Sequence, residues 1–195
     1  DQLFPRPANV SLKSVRVRRV SRAIAWKVIS RYEWLGTLPI CKYYYGAMFD
    51  GLYCGGVACI LNYIGAGPYV NKWLSVPKGK VAYLTRGACV HWAPTGTAPK
   101  LINWSAKEMG RLGFHAMLAY SDTNAGEIGT VYQAAGWHCL GHGSSIIEYV
   151  SPEGRVYNGI LANMLRRKTG RGKWSDWDKY LVDNGWTKQK SNPKL

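Results

Sequence analysis

The sequence predicts an α+β fold, in which helices flank a mixed, mostly antiparallel β-sheet and a helical tail follows. The chain has 195 residues, 47% of them hydrophobic, which is enough for a domain with a real core. Strand-like alternation and helix-like periodicity follow one another along it. It contains no run of about 18 uncharged apolar residues, so no membrane-spanning helix is expected.

The first third is predicted to form a strand, a helix and a β-hairpin. Valines alternate with arginines over residues 14–20, which is typical of a half-buried strand. Ser21 is suited to cap a helix that ends near residue 32. Two strands, 43–49 and 52–61, follow on either side of the turn Asp50-Gly51.

The middle of the chain is predicted to form a strand–helix–strand unit and then a short helix. The strand 80–90 leads into a loop of small residues, and Pro99 is suited to the first turn of a helix that reaches about residue 112. An apolar strand over 114–120, expected to be buried, precedes a short helix over 131–135. A hairpin over 145–157 and two tail helices, 160–168 and 175–184, complete the prediction.

The basic residues are concentrated at the two ends. The chain has 26 Lys and Arg against 11 Asp and Glu, a net charge of +15. Residues 1–31 contribute +7 and residues 164–195 contribute +6. Two basic ends on a near-neutral body indicate a polyanion-binding face, and nucleic acid is the favoured polyanion. The predicted nucleic-acid contacts are Arg16, Arg18, Arg19, Arg22, Arg31, Arg166, Arg167, Lys168, Arg171 and Lys173.

The cysteines and histidines predict neither a disulfide framework nor a metal site. The five cysteines are odd in number, form no CxxC pair and mostly lie in apolar runs, which indicates buried thiols in a reducing compartment. The four histidines lack ligand spacing. In the tail, Trp174 and Trp177 are three residues apart, which favours packing of the tail over base stacking.

The loop after the strand 80–90 is a possible anion site. A strand, a small-residue turn and a helix N-terminus together present backbone N–H groups, and Gly96 and Ala98 would not block a pyrophosphate. An ordinary strand-to-helix turn explains the same residues.

Two motifs carry a resemblance to a known family. The order strand, glycine-containing loop, helix, strand and short helix with Tyr132-Gln133-Ala134-Ala135-Gly136-Trp137 resembles the GNAT acyltransferase superfamily over about residues 14–150. More narrowly, Leu84-Thr85-Arg86 and the segment from Asp122 to Ala134 resemble the Mom-type DNA modification proteins of bacteriophages, which have a GNAT-like fold.

The resemblance implies an enzyme that converts the exocyclic N6 amine of adenine in double-stranded DNA to a carbamoylmethyl form, protecting phage DNA from restriction in the cytoplasm of the infected bacterium. It implies an acetyl-CoA or related acyl-CoA donor, a catalytic domain over residues 1–158 and a basic helical extension over 159–195. One alternative is a GNAT N-acetyltransferase that acts on a protein lysine, an aminoacylated tRNA or a small amine. Another is a non-catalytic DNA-binding protein on this fold.

The implied catalytic residues are Asp122, Tyr132, Arg86 and Tyr32. Tyr132 matches the family's tyrosine and is suited to protonate a leaving group, while Asp122 is suited to accept a proton from the amine. Arg86 is alternatively an ion-pair partner of a buried carboxylate, and Asp122 is alternatively a loop cap. Tyr32 resembles the tyrosine of a His-Tyr pair, but Arg31 replaces the histidine.

The implied donor site lies at the end of the strand 80–90 and in the loop that follows. Its residues are Cys89, Val90, Thr95, Gly96, Thr97, Ala98 and Tyr132. Because an adenine amine lies inside the base stack, the base must be flipped into a pocket. We expect this pocket to be aromatic, with Tyr43, Tyr44, Tyr45 or Trp92 as its lining.

Overall fold

The computed structural model describes residues 4–63, 74–77, 79–123, 126–143, 147–158, 166 and 174–190. It divides the chain into two compact units. The first comprises Asp1–Ser121 and Ile128–Leu140, and the second comprises Asp122–Glu127 and Gly141–Leu195. Among the described residues, every helix is too short or too polar to span a lipid bilayer.

The first unit is built on a sheet whose described strands lie in the order β1-β2-β3-β4-β5. All neighbouring pairs are antiparallel except β4 and β5, which are parallel. The strands are β1 (Arg16–Arg19), β2 (Tyr43–Phe49), β3 (Tyr53–Tyr63), β4 (Val81–Cys89) and β5 (Ala116–Ala119), and the helices are α1 (Arg22–Tyr32), α2 (Thr97–Arg111) and α3 (Thr130–Ala134). This α+β architecture with a mostly antiparallel sheet is the predicted fold class.

Two helices pack on this sheet through apolar faces. Ser21 caps α1 as predicted, since its side chain accepts a hydrogen bond from the Ile24 N–H group at 3.3 Å. Ala25, Val28 and Ile29 form the buried face of α1 at helical spacing. The second helix, α2, buries Leu101 and Met109 among other residues, and it begins at Thr97, so Pro99 lies in its first turn as predicted.

Among the described strands, the first half of β4 pairs with a neighbour on both sides, and its second half pairs on one side only. Residues 81–84 pair with β5, whereas β3 pairs with β4 up to Cys89. Among the described strands, the half of β4 after Leu84 therefore has an open edge. A connection of more than 20 residues through α2 joins the two parallel strands, as such a crossover requires.

The second unit contains a small sheet that the sequence analysis only half predicts. Its strands are β6 (Ile147–Val150), β7 (Val156–Asn158) and β8 (Thr187–Lys190), in the order β7-β6-β8, and helix α4 is Trp174–Asp183. Strand β8 was not predicted. It pairs with β6 within the second unit. The division into a catalytic domain over 1–158 and an extension over 159–195 stays a prediction.

Trp177 is a core residue of the second unit and packs with Tyr149 and Leu181, which agrees with the packing role predicted for the tail tryptophans. The strand predicted over 114–120 is shorter and half-buried rather than buried. The predicted helix 160–168 lies outside the described residues except for Arg166, which is helical.

Candidate active site

Arg86 stands on the open half of β4 and holds the segment that follows α1. Its Nε lies 3.7 Å from Glu33 Oε1 and donates to the Thr37 carbonyl oxygen at 3.0 Å. A terminal nitrogen, Nη2, lies 3.3 Å from the Thr37 hydroxyl oxygen. The Glu33 side chain is only 9% exposed, so Arg86 does pair with a largely buried carboxylate, as one of its two expected roles requires. Arg86 therefore holds the segment 33–37, and its catalytic role stays a prediction.

Tyr32 is the last residue of α1 and lies beside a histidine that no sequence signal singles out. Its hydroxyl oxygen is 3.4 Å from His91 Nδ1, and the two ring centroids are 6.2 Å apart. Phe4 contacts the other side of Tyr32, edge to face, at 5.5 Å. Arg31 replaces the histidine expected next to Tyr32. The imidazole of His91, which follows β4, nevertheless contacts the Tyr32 hydroxyl group.

Tyr32 and its neighbour Glu33 each contact a residue on β4 or just after it, since Tyr32 contacts His91 and Glu33 pairs with Arg86. The candidate active site consists of Tyr32, Glu33, Arg86 and His91, beside the open edge of β4. The Tyr32 phenol and the His91 imidazole are side chains that can transfer protons. Beside them, the charges of Arg86 and Glu33 neutralise each other.

Tyr132 belongs to the same unit and lies on α3. Its ring lies 5.5 Å from that of Trp137, whose indole N–H donates to Asn103 of α2 at 3.2 Å. Asn103 in turn donates to the Ala135 carbonyl oxygen at 2.9 Å. These contacts tie the short helix to α2 and fix the position of Tyr132 relative to it.

Asp122 is the first residue of the second unit. Its backbone N–H group donates to Glu127 Oε2 at 2.9 Å, and its carbonyl oxygen accepts from the Glu127 N–H group at 3.1 Å. These two bonds close the loop 122–127 on itself. The catalytic role of Asp122 stays a prediction.

The predicted donor loop retains backbone donors that suit an anion. Gly96 precedes α2 with a φ of 91°, and within the described residues the N–H groups of Thr95, Gly96 and Ala98 donate to no other group. A helix N-terminus with such donors fits a diphosphate. Leu12 packs on Gly96, where an added Cβ would lie 2.9 Å from Leu12 Cδ2, and Lys100 Nζ donates to the Leu12 carbonyl oxygen at 2.9 Å.

The remaining donor-site residues are less suited to contact a ligand. The Val90 N–H group donates to the Gly55 carbonyl oxygen at 2.9 Å, and the Thr97 hydroxyl group donates to the Pro94 carbonyl oxygen at 2.7 Å. Burial raises the pKa of the Cys89 thiol to about 11, which keeps it neutral and a poor nucleophile.

The aromatic pocket predicted from four aromatic residues is not present. Tyr43, Tyr44, Tyr45 and Trp92 are each at most 8% exposed, so none presents a ring to a flipped base. The reason is that β2 is buried along its whole length. Trp92 also donates its indole N–H to the Phe4 carbonyl oxygen at 2.9 Å.

The N-terminal basic residues form an exposed surface on β1 and α1. All five predicted contacts there are exposed: Arg16, Arg18, Arg19, Arg22 and Arg31. Arg16 donates to the Lys13 carbonyl oxygen at 2.9 Å and Arg18 to that of Gly51, which orients both guanidinium groups. Of the C-terminal set, Arg166 is described, and Arg167, Lys168, Arg171 and Lys173 lie outside the described residues.

Among the described residues, no group of three or more His, Cys, Asp or Glu side chains is placed to hold a metal ion. The two residues that sequence reasoning missed are His91 and Glu33. Glu33 had a weak signal, as the only acidic side chain next to the predicted helix end. His91 had none, because its partner is 59 positions away.

Comparison with known proteins places the chain in a family. An aminoglycoside acetyltransferase from an uncultured soil metagenomic sample, solved in complex with sisomicin, is 14% identical, with a TM-score of 0.44 over 66% of this chain and 90% of its own. No curated protein is significantly similar in sequence. Residues 14–192 match the Mom protein family. Since this match covers most of the sequence, the chain belongs to the Mom protein family.

Proposed function

We propose that this protein modifies the N6 amine of adenine in double-stranded DNA, adding a carbamoylmethyl-type group that protects phage DNA from restriction. The observation that carries the proposal is the family match over residues 14–192. The exposed arginines of β1 and α1 support it, because exposed cations bind the phosphates of a duplex.

The proposed reaction forms a bond between adenine N6 and the methylene carbon of the added group, and it breaks the bond between that carbon and the leaving group of the donor. The leaving group departs with the electron pair, and one amine proton is lost. Asp122 accepts this proton, and Tyr132 donates a proton to the leaving group. The phenol of Tyr32 and the imidazole of His91 share a proton beside the reacting base. Arg86 does not touch the substrate but holds the segment 33–37 through Glu33 and Thr37.

The donor is proposed to be a compound derived from an acyl-CoA that carries its leaving group on the alkyl carbon, because transfer from an acyl-CoA thioester itself would form an amide at N6. When bound, it would supply the carbon atoms of the new group. The N–H groups of Thr95, Gly96 and Ala98 would hold its diphosphate at the start of α2, with Lys100 as the nearby cation.

The test is the mass of the nucleosides in DNA from bacteria that express the protein. Under this proposal, nuclease digestion yields a deoxyadenosine heavier by a carbamoylmethyl group. A mass gain on a protein or on tRNA with unmodified DNA would instead show an ordinary acetyltransferase. Salt-dependent DNA binding with no modified nucleoside would show a non-catalytic DNA-binding protein.

A further inference from the structure

The turn that follows α1 exposes two large apolar side chains next to the candidate active site. Trp34 is 54% exposed and Leu35 is 38% exposed, and both lie in the turn between Glu33 and Gly36. The Gly36 N–H group donates to the Glu33 carbonyl oxygen at 2.9 Å, which makes this a β-turn with the two apolar residues at its tip.

The turn is held at both ends. The Gly36 N–H group also lies 2.9 Å from Glu33 Oε2, and Gly36 has a φ of 58°, a conformation that favours glycine. Glu33 pairs with Arg86, which donates to Thr37 on the far side of the turn. Trp34 and Leu35 therefore project from a turn that is fixed to β4. Because the turn is already ordered, its insertion into a binding partner would cost little conformational entropy.

The position of the turn fits a role on the target base. Tyr32 immediately precedes it and contacts His91 at the end of β4. If Trp34 and Leu35 displace a base from the stack, the base leaves it beside a turn that begins directly after Tyr32. The aromatic residues first expected to receive the base, on β2 and at Trp92, are buried, whereas Trp34 and Leu35 are exposed.

The charge around the turn favours a duplex as the partner. Lys27 and Arg31 are exposed on α1 one helical turn apart, α1 contains no acidic residue, and Arg31 stands three residues before Trp34. The carboxylate of Glu33 is paired with Arg86. An apolar tip with a cationic border is the arrangement by which proteins insert side chains between base steps while binding the phosphates.

We propose that the turn Glu33–Gly36 is a duplex-opening wedge. Leu35 enters the base stack beside the target adenine, and Trp34 stacks on the exposed neighbouring base. The cations of α1 hold the flanking phosphates. This inference rests on the proposed function, and it adds the means by which the amine leaves the stack.

The test compares two double variants, each of which removes one Trp and one Leu side chain, but at different positions. W34A/L35A removes the wedge, and W26A/L52A removes an exposed Trp and an exposed Leu at other positions, 45% and 79% exposed. The adenine that becomes modified is first mapped in cells. A duplex with 2-aminopurine at that position is then titrated with each protein, because the fluorescence of this base rises when it leaves the stack. Binding is followed separately by anisotropy, and folding by thermal unfolding.

We expect W34A/L35A to unfold at nearly the wild-type temperature and to bind the duplex. It should lose most of the fluorescence rise and modify DNA in cells at least about tenfold less, while W26A/L52A behaves like wild type. In a duplex with an abasic site opposite the 2-aminopurine, where the base is already unpaired, both variants should match wild type. Modification by W34A/L35A at the wild-type level would overturn the wedge and leave the proposed function standing. If the wild-type protein modifies no adenine, the proposed function fails and the wedge fails with it.

Discussion

The ion pair between Arg86 and Glu33 should stabilise the first unit measurably, and replacing Arg86 with Ala tests this. The Glu33 side chain is 9% exposed and that of Arg86 is 22% exposed, with 3.7 Å between Nε and Oε1. Removing one partner of a fully buried pair costs about 3–5 kcal/mol. Because Arg86 is about one-fifth exposed, we expect a smaller loss, about 2–3 kcal/mol, which includes its hydrogen bonds to Thr37.

The assay is a double-mutant cycle of Arg86→Ala and Glu33→Gln, measured by urea unfolding. If the two side chains interact as described, the double variant loses less than the two single variants together, by a coupling energy of about 1–2 kcal/mol. The control cycle uses Arg111 and Glu108, an ion pair within α2 whose arginine is 71% exposed. Its coupling should stay below about 0.5 kcal/mol.

A coupling energy for Arg86 and Glu33 no larger than that of the control pair would refute the positioning role. In that case a loss of DNA modification on changing Arg86 would indicate direct contact with the substrate. If the positioning role holds, Glu33→Gln should also reduce modification, because the segment 33–37 then loses its charged anchor to β4.

Three further predictions concern other parts of the chain. Gly96→Ala places a methyl group 2.9 Å from Leu12 at a φ of 91°, so it should lower the free energy of unfolding by about 1–2 kcal/mol; an unchanged urea midpoint would contradict the packing described. Replacing Arg16 and Arg18 with Ala should reduce the slope of log affinity for duplex DNA against log salt by about 2, and an unchanged slope would remove β1 from the interface. At mildly alkaline pH, iodoacetamide should label the exposed Cys139 first, because burial raises the pKa of the other four thiols and keeps them neutral. Mass spectrometry of the labelled peptides measures this, and equally fast labelling of another cysteine would contradict the described burial.

The sequence predicts the first sheet well, because local signals specify it. Alternation of valine and arginine predicts β1, Ser21 predicts the start of α1, and Asp50-Gly51 predicts the hairpin of β2 and β3. Strand β8 was missed because all four of its residues, Thr187–Lys190, are exposed and it lacks an apolar face. Its pairing with β6 joins positions about 40 residues apart, which no local pattern reveals.

The candidate site is predicted less completely, for a similar reason. The motifs identify Arg86 and Tyr32, but the contacts that give them a role come from Glu33 and His91. The ion pair was one of two alternatives for Arg86, and its partner could not be identified from the sequence because the pair forms through the packing of α1 on β4. The expected base pocket fails because a strand rich in tyrosine, β2, is covered on both faces.

The central claim is that this protein modifies adenine in DNA through the residues of the family motif. The most direct measurement is the fraction of modified deoxyadenosine in DNA from bacteria that express wild type, Asp122→Asn or Tyr132→Phe, each checked for wild-type thermal stability and DNA affinity. We expect carbamoylmethyl-deoxyadenosine in DNA from bacteria with the wild type, and its near-complete loss with either variant. Unmodified deoxyadenosine with the wild type, or full modification by both variants, would contradict it.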